Sequence, residues 1–503
     1  MPNATALEIQ LSQMQKEVGT INSNNDTFFL IVMAVIIFFM QCGFAFLESG
    51  AVRSKNTTNI LLKNMLDCFV CGITYWAAGY ALAFGPGNAF LGYRYWFGES
   101  MPDDKLAHWF FHFVFAATAT TIVSGAVAER CEFVAYIVYS SIITGIVYPI
   151  VSHWAWDSQG WLATAVSGVA YQDFAGSGVV HLLGGTAAFV GAVFLGPRLG
   201  RFDPVTGKPQ AIRGHSVPLA ALGGFILMFG FFAFNGGSQA SISASGDGVA
   251  IARSIVNTII SGSAAALTAM CVKKLALCVG GCGACLCDCG RTRWSLLVTI
   301  NGALTGMVTA CAGCNVMYTW AAAVTGIVAG MIFLGVSALV VRLKVDDPLD
   351  AVAVHGGGGL WGVIAAPLFN TQGGLVFSTT GEQLTASGKA LGWNLVGALA
   401  IIAWSAVICV IMFGILKCCK VLRVNRETEI EGLDKTEHGE PAYPDDINLE
   451  PYKVQSDGNL TPVADVVRYP PQNGGRLQHV GASTVYVDNP PVRHHGHANT
   501  YMR

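Results

Sequence analysis

Two histidines stand in matched settings in this chain. Asp173-Phe-Ala-Gly-Ser-Gly-Val-Val-His181 runs into Leu-Leu-Gly-Gly, and Asp347-Pro-Leu-Asp-Ala-Val-Ala-Val-His355 runs into four glycines. Each is an aspartate, seven residues, a histidine and then glycines. An imidazole inside an apolar span is expensive to bury and marks function by default. The pair could ligate haem or a metal, relay protons, or line a narrow pore; two unrelated packing hydrogen bonds are the plain alternative. Haem fits worst, because the sequence offers no further matched histidine pair and no separate redox domain. Asp173 and Asp347 stand where helices begin, so an N-cap role accounts for both as structural support rather than as cation ligands.

Aromatic residues gather near helix ends at Phe111, Phe115, Trp154, Trp156, Trp161 and Phe234. Such rings anchor helices at a membrane interface, and their faces can also hold a small cation at roughly 0.5–2 kcal/mol each. Phe234-Asn-Gly-Gly-Ser238 adds a hydroxyl acceptor at a helix end. Periodicity does not separate the two uses.

The elements that must position these groups are membrane helices. Of 503 residues, 53% are hydrophobic and only 12% charged, against about 25% charged in soluble domains. A net charge of -2 leaves no basic footprint for nucleic acid. The 59 glycines show no collagen period and suit close helix packing in lipid. Eleven apolar stretches long enough to cross a bilayer fall at 27–48, 60–84, 108–128, 133–153, 176–196, 215–236, 250–272, 294–313, 317–341, 350–370 and 388–416.

The first 26 residues are polar and have no basic leader, and they carry glycosylation sequons at Asn3 and Asn25. With that end extracellular, the cytoplasmic loops hold thirteen Lys and Arg and the outer ones five, as the positive-inside rule requires. The tail 417–503 is then cytoplasmic. It holds eight of the 18 prolines and reads as largely disordered after about residue 443. His494, His495 and His497 read as a solvated terminus rather than a metal tract. Cys278, Cys282, Cys285, Cys287 and Cys289 crowd one loop without paired C-x2-C spacing, so a zinc site is not expected; Cys418-Cys419 follow the last helix, where palmitoylation is an option.

One histidine segment enters the membrane from outside and the other from inside. Inverted repeats show this relation, with sites near the midplane at the repeat interface. If each aspartate-to-histidine stretch is helical, eight residues place the imidazole roughly 12 Å deep, close to half the hydrocarbon core. The expected fold is an all-α polytopic membrane protein with eleven transmembrane helices: two inverted five-helix repeats plus a final helix.

The chain resembles the ammonium transporter (Amt/MEP/Rh) family, its Amt branch in particular. The resemblance rests on Gln41-Cys-Gly-Phe-Ala-Phe-Leu-Glu48-Ser-Gly50, Arg53-Ser-Lys-Asn56, Lys63-Asn64, Phe111-His-Phe-Val-Phe115, Gly125-Ala-Val-Ala-Glu-Arg130, the two histidine segments, Phe234 to Ser238, Asn301-Gly-Ala-Leu-Thr-Gly306 and the tail segment Gly432 to Tyr443. It implies a plasma-membrane homotrimer, one pore per subunit, with ammonium or methylammonium as cargo. It also implies that Phe115, Trp161 and Ser238 recruit the cation, that Phe115 and Phe234 gate the pore, that His181 and His355 line it, and that Asp173 supports the entrance. His112 departs from a glutamine common among relatives. The chemistry suits the cargo: a bare ion faces an idealised penalty of order 20 kcal/mol in a dry interior, whereas neutral ammonia faces far less. Deprotonation near the phenylalanine gate and passage of ammonia along the histidines follow. No enzyme activity, cofactor or metal is expected. The rival readings are a Rh-like channel for neutral ammonia or carbon dioxide, and an ammonium sensor signalling through the tail.

Overall fold

The computed structural model describes residues 4–164, 168–278 and 294–443, with the backbone of four short strands between 452 and 487. Asn3, the side chains of the cysteines from Cys278 to Cys289, and His494, His495 and His497 lie outside the described residues. Two compact units divide the chain at Ala442 and Tyr443.

The first unit is helical. Among the described residues, ten helices are long and apolar enough to cross a membrane: α1 (Leu7–Ala51), α2 (Ser54–Phe84), α3 (Asp103–Val127), α4 (Phe133–Trp156), α5 (Ser177–Leu195), α6 (Val217–Gly237), α7 (Asp247–Leu275), α9 (Thr319–Arg342), α10 (Val352–Phe369) and α11 (Gly381–Cys418). Between α7 and α9 lies the shorter apolar helix α8 (Leu296–Ala310), which completes eleven. Side chains and prolines set several starts. Ser216 and Ser295 accept the amides of Leu219 and Val298, both at 3.4 Å, and Pro218 follows at the first turn of α6. Thr380 and Gln383 form a reciprocal capping box at α11.

Two expected boundaries move. Helix begins at Ala4 rather than at residue 27, because the polar 4–26 segment continues the same helical path. Its Asp26 carboxylate holds the amides of Ile242 and Ser243 at 2.7 and 3.0 Å in the loop between α6 and α7. Asn25 is exposed on this helix. The stretches leading to the histidines are also not continuous helix. Gly176 takes a left-handed φ of 98° and Asp350 one of 60°, so helix starts only at Ser177 and next to Ala351. The 12 Å depth, which assumes continuous helix, therefore does not apply.

In the second unit, Tyr452–Val454 pairs antiparallel with Leu460–Pro462, and Arg476–Val480 with Ser483–Val487. These ladders form where the charged, proline-rich composition gives way to short runs such as Ser483-Thr-Val-Tyr-Val487, whose β-branched and aromatic residues favour strands.

Helices α5 and α10 bring the two repeats together. A methyl group on Gly185 would collide with the backbone of Gly356, so the crossing requires that Gly185 carry no side chain. Both helices begin with π-helical turns, Ser177–Leu182 and Val352–Gly357, and each turn holds one of the histidines. Such turns are frequent at functional sites.

At the end of the bundle expected to face the cytoplasm, a buried charge network joins loops from both halves. Glu129 pairs with Arg53 (2.5 Å) and Arg198 (3.3 Å), and Asp346 with Arg198 (2.8 Å) and Arg201 (3.1 Å). Arg130 donates to the carbonyls of Ala128, Gly196 and Asp346. Burial alone would raise the Asp346 pKa, but the hydrogen bonds and charge of Arg198, with Arg130 behind it, hold it down to about 2.

The tail segment α12 (Arg426–Glu431) and α13 (Leu433–Thr436) docks beside this network. Lys55 donates to the carbonyls of Glu429 and Ile430, and Asp434 accepts the Asn59 amide at 2.8 Å.

Candidate functional site: a ring-lined column through the helix bundle

The matched histidines meet. His181 Nδ1 lies 3.1 Å from His355 Nδ1, with the ring planes 20° apart. One nitrogen must carry a hydrogen and the other accept it, and the direct contact leaves no room for an ion between these two atoms. His181 is wholly buried, and its Nε2 has no hydrogen-bond partner.

The two aspartates act on the turns that carry these rings. Asp173 accepts the amides of Gly176 (3.1 Å), Gly178 (2.9 Å) and Val179 (2.9 Å). Asp347 accepts the Val352 amide at 2.8 Å. The Asp173–Gly178 and Asp347–Val352 bonds each reach five residues along the chain, so the repeat is visible in its hydrogen bonds as well as its letters.

Toward the expected outer side, Phe234 lies 5.5 Å from the His181 ring and stacks on Phe115 at 4.1 Å. Both phenylalanines are buried. Ser238 follows one turn after Phe234 and donates its hydroxyl to the Phe234 carbonyl at 2.8 Å, leaving the oxygen free to accept.

The tryptophan at this mouth is not the expected one. Trp161 packs edge-on against Trp154 and Trp393, at 5.6 and 5.8 Å. Trp156 instead stands perpendicular to Phe115 at 5.9 Å, and its indole donates to the Asp173 carbonyl at 2.8 Å. The reason is local: α4 ends at Trp156, and the turn through Gly160 carries Trp161 back, its amide bonding to Ala89. Trp156, not the expected Trp161, is thus the tryptophan that stands beside Phe115.

His112 lines the same region. Its ring lies 4.2 Å from His108, 5.8 Å from Trp156 and 6.3 Å from Phe115, and its Nδ1 is buried without a partner.

Below the histidines, Phe44 lies 6.3 Å from His355, and a cavity of about 20 Å³ opens between Glu48, Asn301, Val354 and His355. That is room for one water-sized molecule. The column therefore runs Phe115, Phe234, His181, His355 and then this cavity.

The model of the Ammonium Transporter Family matches residues 27–443. The chain belongs to this family. As an ammonium transporter family member it is 48% identical to the Putative ammonium transporter 1 of Caenorhabditis elegans, over 88% of this chain and 84% of the relative. It is 40% identical to Ammonium transporter 1 member 2 of Oryza sativa subsp. japonica, over 78% and 81%. Among solved structures, the family member is similar to one titled Sensor Amt Protein, with a TM-score of 0.74 and 31% identity over 84% of this chain and all of the other. It is also similar to Candida albicans Mep2, with a TM-score of 0.69 and 27% identity over 85% and 93%.

Proposed function

We propose that the protein moves ammonium across the plasma membrane by recruiting the cation at an aromatic mouth, removing its proton near the phenylalanine pair, and passing ammonia along His181 and His355. The observation that carries this reading is the unbroken column from Phe115 through Phe234 to the hydrogen-bonded imidazoles. Ammonium matches potassium in size but differs in donating hydrogen bonds and in being able to give up a proton. Stacked rings at 4.1 Å leave no open lumen for a hydrated ion. Beyond them, neutral ammonia meets imidazole nitrogens that can accept or donate hydrogen bonds.

Trp156, Phe115 and Ser238 form the recruitment site in this reading, with Phe115 and Phe234 as the gate. Asp173 and Asp347 fix the turns that aim the histidines. The N-terminal end, with its sequons at Asn3 and Asn25, faces outward and the tail faces the cytoplasm. The working unit is a homotrimer in the bilayer.

Uptake of isotopic methylammonium by cells expressing the protein, with membrane current recorded at the same time, tests the proposal. Uptake that saturates and carries current supports it; alkalinisation without current points to a neutral-gas channel. Deletion of residues 444–503 should spare uptake, whereas a lost ammonium response with intact uptake would point to sensing.

A further inference from the structure

We propose that Glu48 is the proton-delivering group at the inner end of the pore, returning to ammonia the proton that ammonium gave up at the outer end. This rests on the transport reading above and adds a residue and a proton route to it.

Glu48 lies on α1, is 1% exposed, and lines the small cavity directly beneath His355. Among the described residues it has no basic side chain as a hydrogen-bond partner. Ser124 Oγ contacts Glu48 Oε1, and Asn64 Nδ2 donates to Oε2 at 2.8 Å. The Ser124 hydroxyl has a second acceptor, the Thr121 carbonyl at 2.9 Å, but only one hydrogen to give. A neutral carboxyl resolves the conflict: Glu48 donates from Oε1 to Ser124, Ser124 donates to Thr121, and Oε2 accepts from Asn64. The site is thus built to hold a proton.

Other titratable groups face this region from each packed helix. On α2, Asp67 accepts from Thr121 at 3.0 Å and Ser140 at 2.8 Å, and Lys63 donates to the Cys131 carbonyl at 2.8 Å. On α10, His355 faces the shared cavity; from α8, Asn301 adds a neutral amide. Asp67 is thus engaged by hydroxyls and Lys63 by a carbonyl, while Glu48 borders the space that ammonia must cross.

The transfer balances without any co-reactant. Ammonia in the cavity takes the Glu48 proton: the O–H bond breaks, an N–H bond forms, and ammonium leaves inward. The resulting carboxylate is then recharged by the proton that an imidazole nitrogen took up when an N–H bond of ammonium broke at the outer end: that imidazole N–H breaks and the carboxyl O–H re-forms. One ammonium and one charge have crossed.

The test is the ratio of charge to isotopic methylammonium in voltage-clamped oocytes, a quantity independent of how much protein reaches the surface. In Glu48→Gln, whose amide can satisfy the same partners but cannot shuttle a proton, the charge per methylammonium should fall about tenfold or more while uptake falls only about threefold. Glu48→Asp, which keeps an acid, should restore the wild-type ratio. An unchanged ratio in Glu48→Gln, with current and uptake lost in equal proportion, overturns the role of Glu48 while leaving transport standing. A wild-type protein that takes up no methylammonium overturns the transport reading itself, and this inference with it.

Discussion

Removing the Asp173 carboxylate separates its structural work from that of its counterpart Asp347. Asp173 accepts three backbone amides at the start of α5, and Asp347 accepts one at the start of α10. An orphaned buried donor costs about 1–3 kcal/mol. Asp173→Ala should therefore destabilise the fold by at least about 3 kcal/mol, and Asp347→Ala by about a third as much. Asp173→Asn can keep its oxygen toward Gly178 and Val179, losing the Gly176 bond and the favourable charge at the helix start, for about 2 kcal/mol. Thermal unfolding of the purified protein in detergent, followed by tryptophan fluorescence, should rank the melting points Asp347→Ala and Asp173→Asn above Asp173→Ala. Methylammonium uptake should follow the same order, because the turn anchored by Asp173 carries His181. Equal melting points for the two alanine variants would refute the hydrogen-bond accounting, and so would an asparagine variant as unstable as the alanine one.

Other substitutions probe the rest of the site. Trp156→Ala should raise the half-saturating methylammonium concentration about two- to thirtyfold, the range of a lost cation–π contact, while Trp161→Ala leaves it nearly unchanged; the reverse order in an uptake assay would return the mouth to Trp161. Gly185→Ala should cost about 1–3 kcal/mol of stability in a detergent melt, because the added methyl meets the Gly356 backbone, and an unchanged melting point would show that α5 and α10 do not cross there. Docking of the tail should weaken as pH falls through the range just below 6.5. Burial, then the nearby charge of Lys63, lowers the pKa of His438, so its stabilising contribution is present above the ordinary histidine value and lost on acidification. Its Nε2 lies 2.8 Å from the Asn59 amide nitrogen and accepts only while unprotonated. Limited trypsin digestion should therefore release the tail more readily at pH 5.5 than at pH 7.5 in the wild type but not in His438→Gln, and equal digestion of the wild type at both pH values would contradict this.

The parts of the fold that were legible in the sequence are those written in local pattern. Apolar length gave the membrane spans, and the aspartate–histidine spacing brought out a pair that meets at 3.1 Å. What stayed hidden depends on chain direction or distant partners. Trp156 and Trp161 are equivalent in composition, and only the turn between them decides which reaches Phe115. The left-handed residues Gly176 and Asp350 shorten the helices that spacing alone would extend. Glu48 stood in a recognised motif, yet its place beneath His355 depends on helices from both halves of the chain.

In the proposed function, His181 and His355 line the route taken by the cargo. The most direct measurement is methylammonium uptake by a His181→Ala, His355→Ala double variant, compared with the wild type at equal surface abundance. Uptake should fall strongly, because the middle of the column loses the imidazole nitrogens that ammonia would meet there. Uptake indistinguishable from the wild type would contradict the account.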